Sequence, residues 1–217
     1  MNMTTIINTL HEVFDMANER FYNNELEKPV ITVAPDTTSG AYGWCTSWKA
    51  WKTDEETGEE EGRYEINITA EHLTRPIAHT IGTMIHEMVH LYNLQNGVKD
   101  CSRGGTYHNK HFKHVAEAKG MIVEQHEKYG WCLTTLNDEG NAFVADFKQK
   151  YDFEKFEIKR TGGIKNAKSS KKSSSRKYTC PHCGMTIRAT KEVRVLCGDC
   201  TTEEEFVFME LESSDED

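Results

Sequence analysis

The chain has 217 residues, 37% of them hydrophobic, and a formal net charge of -9, which allows one sizeable core with a small appendage. The charge is uneven: nine Lys/Arg stand against one acid between Lys155 and Tyr178, a local +8 that leaves -17 for the rest. No apolar run reaches the ~18–20 residues of a membrane span, and the opening "MNMTTIINTLHEVF" has no basic, cleavable leader pattern, so a cytoplasmic protein without a membrane partner is expected.

In chain order, Ile6, Leu10, Val13, Phe14 and Phe21 recur at helical spacing and predict a helix from Thr5 to about Tyr22. "PVITVAP", Pro29 to Pro35, reads as a strand. Gly43–Trp51 and Tyr64–Ala70 alternate as strands and flank a polar, glycine-containing stretch, which predicts an antiparallel hairpin. The acidic run Asp54–Glu61 between them is read as solvated charge. "TRPIAHTIGTMIHEMVHLYNLQNG" predicts the most clearly bounded helix, with Thr74 as cap, Pro76 in the first turn and Gly97 just past the end. Phe112, Val115 and Ala116 suit a further helix that stops at Gly120. Residues 121–153 complete the domain without individually assigned elements. The expected organisation is an α+β domain over 1–153, a basic Ser/Lys-rich linker over 154–177, a small four-cysteine module over 178–211 and an acidic tail over 212–217.

The long helix carries the first chemistry. Residues four apart face the same way, so His86 and His90 are spaced to chelate one zinc ion. Glu87 lies about 100° round the helix, within reach of a water on that ion, and is the natural general base. Ile77, Ile81, Met84 and Met88 fall on the opposite face and should pack into the core. His79 shares the histidine face but lies about 10 Å along the axis, too far for a common ion, and is read as a structural or supporting histidine. Catalytic zinc takes three protein ligands, and His108, His111, His114, Glu117 and Glu124 are all candidates for the third. Tyr107 is read as a packing tyrosine.

The run "YEINITAEHLTRPIAHTIGTMIHEMVHLYN" followed by "GTYHNKHFK", with "GAYGWC" upstream, resembles the SprT-like (Spartan-related) zinc metalloprotease family over most of residues 5–120. The resemblance implies a zincin-like fold of helices on a small antiparallel or mixed sheet. It implies that His86, His90 and His108 hold a catalytic zinc and that Glu87 is the catalytic acid/base. It further implies a zinc-dependent endopeptidase that hydrolyses peptide bonds with zinc-activated water and acts on DNA-bound or DNA-crosslinked proteins. The alternative is a non-enzymatic nucleic-acid-binding adaptor whose zinc sites are structural.

"CPHCGMTIRATKEVRVLCGDC" places two Cys-x2-Cys knuckles thirteen residues apart, so Cys180, Cys183, Cys197 and Cys200 are expected to close a structural zinc site, a zinc ribbon. "TIRAT", "VRVL" and "EFVFMEL" are its expected strands. Cys45, Cys101 and Cys132 are scattered, which suits reduced thiols. Lys168, Lys171, Lys172, Arg176 and Lys177 precede the ribbon and are the candidate nucleic-acid contacts, through phosphate attraction.

Overall fold

The computed structural model describes residues 1–35, 40–52, 62–161 and 176–211, so the expected acidic hairpin loop, Lys168, Lys171, Lys172 and the acidic tail lie outside the described residues. The chain divides into two units, Met1–Gly162 and Gly163–Asp217. The architecture is α+β, with four α-helices and three small sheets among the described residues. No described helix is long and apolar enough to cross a membrane.

In the first unit α1 spans Met3–Tyr22, opened by the Asn2 side chain accepting the Thr5 N–H at 2.9 Å and closed by Asn23 in the left-handed region. Ile6, Leu10, Val13, Phe14 and Ala17 are buried on one face, as the spacing predicts. The amide of Asn18 both donates to the Leu26 carbonyl and accepts its N–H, each at 3.1 Å, and so fixes the turn into the first sheet. That sheet has strands β1 (Val30–Ala34), β2 (Gly43–Cys45) and β3 (Glu65–Thr69) in the order β1-β3-β2. β1 runs parallel to β3 and β2 antiparallel to it. The expected antiparallel pairing is present, but regular only over Gly43–Cys45, with a further isolated bridge between Trp51 and Arg63.

The helix α2 spans Ile77–Gln95. Ile77, Ile81, Met84, Ile85, Met88 and Val89 are fully buried, which leaves the histidines on the other side. Thr74 does not cap it. Pro76 occupies the capping position without a side-chain bond, and the Ile77 N–H donates instead to the Glu154 carbonyl at 2.7 Å. A strap distant in sequence thus replaces a local cap. Lys155 of the strap bridges Pro76, the Arg160 N–H donates to the Ala70 carbonyl at 2.9 Å, and Phe156 is fully buried.

Beyond α2 come β4 (Cys101–Ser102), β5 (Tyr107–His108), α3 (Lys110–Ala118), β6 (Met121–His126), β7 (Gly130–Leu136) and α4 (Asp138–Tyr151). The second sheet has the order β4-β5-β7-β6. Asn109 caps α3 through the His111 and Phe112 N–H groups. The β6–β7 hairpin and α4 follow local signals: Met121 and Val123 alternate inward, and Asn137 caps α4 ahead of Asp138 and Glu139.

In the second unit β8 (Arg176–Thr179), β9 (Thr186–Ala189) and β10 (Glu210–Leu211) form an antiparallel sheet in the order β10-β8-β9. "TIRAT" supplies β9 as expected, whereas "VRVL" contributes only a bridge from Leu196 to Phe208. The additional strand, β8, comes from residues expected to end the linker. It is drawn in because Tyr178 is buried and its hydroxyl accepts the Val193 N–H at 3.0 Å.

Because Phe156 anchors the strap that serves the start of α2, Phe156→Ala is expected to destabilise the first unit by about 3–5 kcal/mol, read as a lower midpoint in chemical denaturation.

Candidate active site and metal centres

His86 and His90 project from consecutive turns of α2, and β5 brings His108 against them from the second sheet. His108 Nε2 lies 3.3 Å from His86 Nε2 and 3.1 Å from His90 Nε2. A tetrahedral ion with bonds of about 2.0–2.1 Å spaces its nitrogen ligands about 3.3–3.4 Å apart, so the three rings form a group that could hold a metal. The outer ring nitrogens are engaged elsewhere. His86 Nδ1 meets the Thr134 hydroxyl at 3.0 Å and His90 Nδ1 meets Asp100 Oδ2 at 2.7 Å. Each contact stabilises the tautomer whose Nε2 lone pair faces the centre. Asn93 donates to the same Asp100 oxygen at 3.0 Å and keeps the carboxylate in place. His108 Nδ1 is buried without a hydrogen-bond partner among the described residues.

Phe112, fully buried on α3, lies under all three imidazoles at centroid distances of 4.6–4.7 Å and limits their rotation. β5 reaches this position through a close contact with β7. The His108 N–H donates to the Tyr129 carbonyl at 2.9 Å, and a Cβ on Gly130 would stand 2.1 Å from the His108 carbonyl oxygen. Gly130 also has φ +72°, so both space and backbone conformation demand glycine there. Tyr107 packs beside Gly130 and under the Arg103 guanidinium, in keeping with a packing role.

Electrostatics separate the three rings. Burial drives His86 well below the ordinary histidine range, and burial together with His90 lowers His108 to about 4. Burial also opposes charge on His90, but Asp100, Cys101 and Glu87 outweigh it and raise that ring to about 10. A metal ion entering the group therefore displaces a proton from it. Glu87 lies on the same helix within the same cleft, 6% exposed, and burial raises its carboxyl to about 7 against the opposing effects of His90 and a backbone bond from Cys45. It is not one of the grouped ligands.

The cleft has a volume of about 510 Å³ and is lined by β2, the segment after it, α2 and the β4–β5 hairpin, with Trp48 and Leu94 among its apolar walls. Gly43 lets β2 lie close over α2: a Cβ there would stand 2.8 Å from both the Asn67 carbonyl and the Thr83 methyl and 3.4 Å from the Glu87 side chain. The other candidates for a third ligand are placed elsewhere. His111, His114 and Glu124 are exposed, and Glu117 pairs with Lys113 on α3. His79 is exposed on the first turns of α2, its carbonyl accepting the Thr83 hydroxyl, so it supports no ligand and its expected structural role is not what the fold provides. Asp100, Thr134 and Phe112 were not legible as site residues, since nothing in their local sequence points at the histidines.

In the second unit Cys180, Cys183, Cys197 and Cys200 come together, their sulfurs all within 4.8 Å of one another, and could hold a metal ion. Cys183 Sγ and Cys197 Sγ are 3.6 Å apart, near the roughly 3.8 Å expected of thiolates on a tetrahedral ion with bonds of about 2.3 Å. The Gly184 N–H donates back to the Cys180 carbonyl and the Thr201 N–H to the Cys197 carbonyl, giving each knuckle a tight turn. Backbone N–H groups of Cys183 and His182 lower the Cys180 thiol to about 6, which favours the thiolate. His182 is exposed in the first knuckle. Arg176 and Lys177, expected in the linker, stand on β8, Arg176 exposed and reaching the Thr190 carbonyl.

Comparisons with protein-family models, curated proteins and solved structures gave no match.

Asp100→Asn keeps the side-chain size but removes the charge that orients His90. It is expected to weaken metal binding at the histidine group by about 10–100-fold in chelator competition, with the four-cysteine site unaffected. Cys183→Ser is expected to remove one metal equivalent per chain and to melt the second unit. Its buried cluster of Tyr178, Cys180, Cys197, Val207 and Met209 is too small to fold unaided, and NMR of the two units would report the loss separately.

Proposed function

We propose that residues 1–162 form a zinc-dependent endopeptidase of the SprT-like type with a zincin-like fold, and that the four-cysteine module is a structural zinc ribbon. The observation that carries the reading is the convergence of His86, His90 and His108, beside a buried Glu87 that is not part of the ligand group. Three imidazoles leave a tetrahedral ion one open position, as hydrolytic zinc sites require, whereas four thiolates leave none. His86, His90 and His108 would hold the zinc, which when bound would supply Lewis acidity toward a peptide carbonyl and a water molecule.

The chain's own residues supply the rest of the mechanism. Glu87, fixed by the Cys45 backbone, takes the proton from water and returns it to the departing amine. Asp100 and Thr134 hold His90 and His86 in the orientation that presents Nε2, and Phe112 keeps the rings from turning away. In the first sheet β3 is paired on both sides, while β2 is the sheet edge among the described residues and lines the cleft. An extended peptide can therefore add to β2 through backbone hydrogen bonds and cross the site beside Glu87.

The basic run from Lys155 to Tyr178 supports DNA-bound proteins as the substrate class, with phosphates meeting Lys168, Lys171, Lys172, Arg176 and Lys177.

Glu87→Gln is expected to keep both metal equivalents and lose about 10²–10⁴-fold in the rate of cleavage of a DNA-binding protein. Undiminished cleavage by that variant would overturn the assignment of Glu87. Single-stranded DNA should accelerate cleavage by the parent chain, with the acceleration fading as salt rises.

A further inference from the structure

Arg75 stands between the 3-10 turn Ala70–His72 and the start of α2, and its guanidinium is held on three sides. Nε donates to the His72 carbonyl at 3.1 Å, Nη2 donates to the Thr83 hydroxyl at 3.1 Å, and the group stacks on the Tyr42 ring at 4.1 Å. The His72 ring also meets Tyr42 edge-on, with centroids 4.8 Å apart. Two of the five guanidinium N–H groups are thus engaged, and among the described residues no carboxylate pairs with the charge. A half-buried arginine ordinarily meets an acid, because an uncompensated charge away from water is costly. Here the fork is ordered, partly dehydrated and, among the described residues, without a carboxylate partner.

Its place relative to the cleft gives that arrangement a meaning. Thr83 lies one turn before Glu87 on α2, and its methyl abuts Gly43, the first residue of β2. Tyr42 continues the same edge, its carbonyl accepting the Thr69 N–H at 2.9 Å, and its ring is 51% exposed. From Cys45, which bonds Glu87, back to Tyr42 is about 10 Å at roughly 3.3 Å per residue, so a peptide on this edge covers about three residues between the reacting bond and Arg75.

We propose that Arg75, stacked on Tyr42 and tied to Thr83 and His72, is a carboxylate-recognising subsite that selects peptides bearing an Asp or Glu about two to four residues from the bond cleaved. The inference rests on the proteolytic reading of the cleft and adds its specificity. A single acidic side chain in an extended peptide is favoured over a nucleic-acid backbone. Residues 1–162 hold 17 basic and 25 acidic side chains, a field that repels a polyanion but that one bidentate contact overcomes for one carboxylate.

The test uses the full, zinc-loaded chain and a pair of otherwise identical fluorescent peptides, one with Glu and one with Gln at the selected position, found by profiling cleavage of a random peptide library. The parent should cleave the Glu peptide at least about tenfold better in kcat/KM, and Arg75→Gln should bring that ratio close to one. Arg75→Glu should invert it toward Lys peptides. Arg75→Lys, which keeps the charge without the fork, should retain only part of the preference. Thermal melting and metal content identify a variant that has failed to fold, and the Lys and Gln variants then carry the test.

A second arm needs no turnover: in a Glu87→Gln background, binding of a fluorescent peptide set, random but for one fixed Glu or, in the paired set, one fixed Gln, is measured by fluorescence anisotropy with Arg75 present or changed to Gln. Tighter binding of the Glu peptide that disappears with Arg75 upholds the subsite even if the parent cleaves nothing, which would sink only the proteolytic reading. Equal binding of Glu and Gln peptides, or an Arg75→Gln effect confined to a single-stranded oligonucleotide, overturns the subsite.

Discussion

Three imidazoles, with His108 Nε2 held 3.3 Å from His86 Nε2 and 3.1 Å from His90 Nε2 in a half-buried pocket, set the terms for the rest of the first unit. Left to themselves they cannot all be satisfied, because each ring carries one lone pair and one proton when neutral and the inner faces compete for a single centre. The surrounding fold resolves the conflict by fixing the outer nitrogens of two rings. Asp100 and Thr134 take the Nδ1 positions of His90 and His86, and Asn93 holds Asp100 from behind. What remains at the centre is three nitrogens that an ion could gather once the His90 proton is displaced.

Delivering those nitrogens is a matter of backbone more than of side chains. α2 can expose its histidines because its apolar face is fully buried, and it can begin where it does because a carbonyl of the strap takes the N–H that no local cap takes. β5 can bring His108 inward because glycine at position 130 lets β7 approach its carbonyl. β2 can lie over Glu87 because glycine at position 43 leaves room for the Thr83 methyl. Two absent side chains and one distant carbonyl thus carry as much of the geometry as the ligands do.

The two candidate metal groups differ in a way that matches the proposed division of labour. The thiols of the second unit sit in tight backbone turns beside a cluster of few buried residues, where an ion would stand in for a core. The histidine group sits in a unit with an extensive core of its own and opens onto a cleft lined by β2, an edge strand among the described residues. In the first case a metal would contribute to folding, and in the second the fold is already available to position one.

The sequence by itself determined the α1 and α2 helices, the pairing of His86 with His90, the inward face of α2 and the grouping of the four cysteines. Each rests on a local period or a short spacing, which the covalent chain largely dictates. It left His108 as one of several candidates and gave no sign of Asp100, Thr134 or Phe112, because these meet the site from the second sheet, the segment leading into it and α3, at separations of up to 48 residues. It misplaced the cap of α2 and the start of the small module's sheet for the same reason. Glu154 reaches Ile77, and Tyr178 engages Val193, only after the chain has folded back. Local propensity chose the elements, and long-range hydrogen bonds and close backbone approach decided which of their polar groups face a common centre.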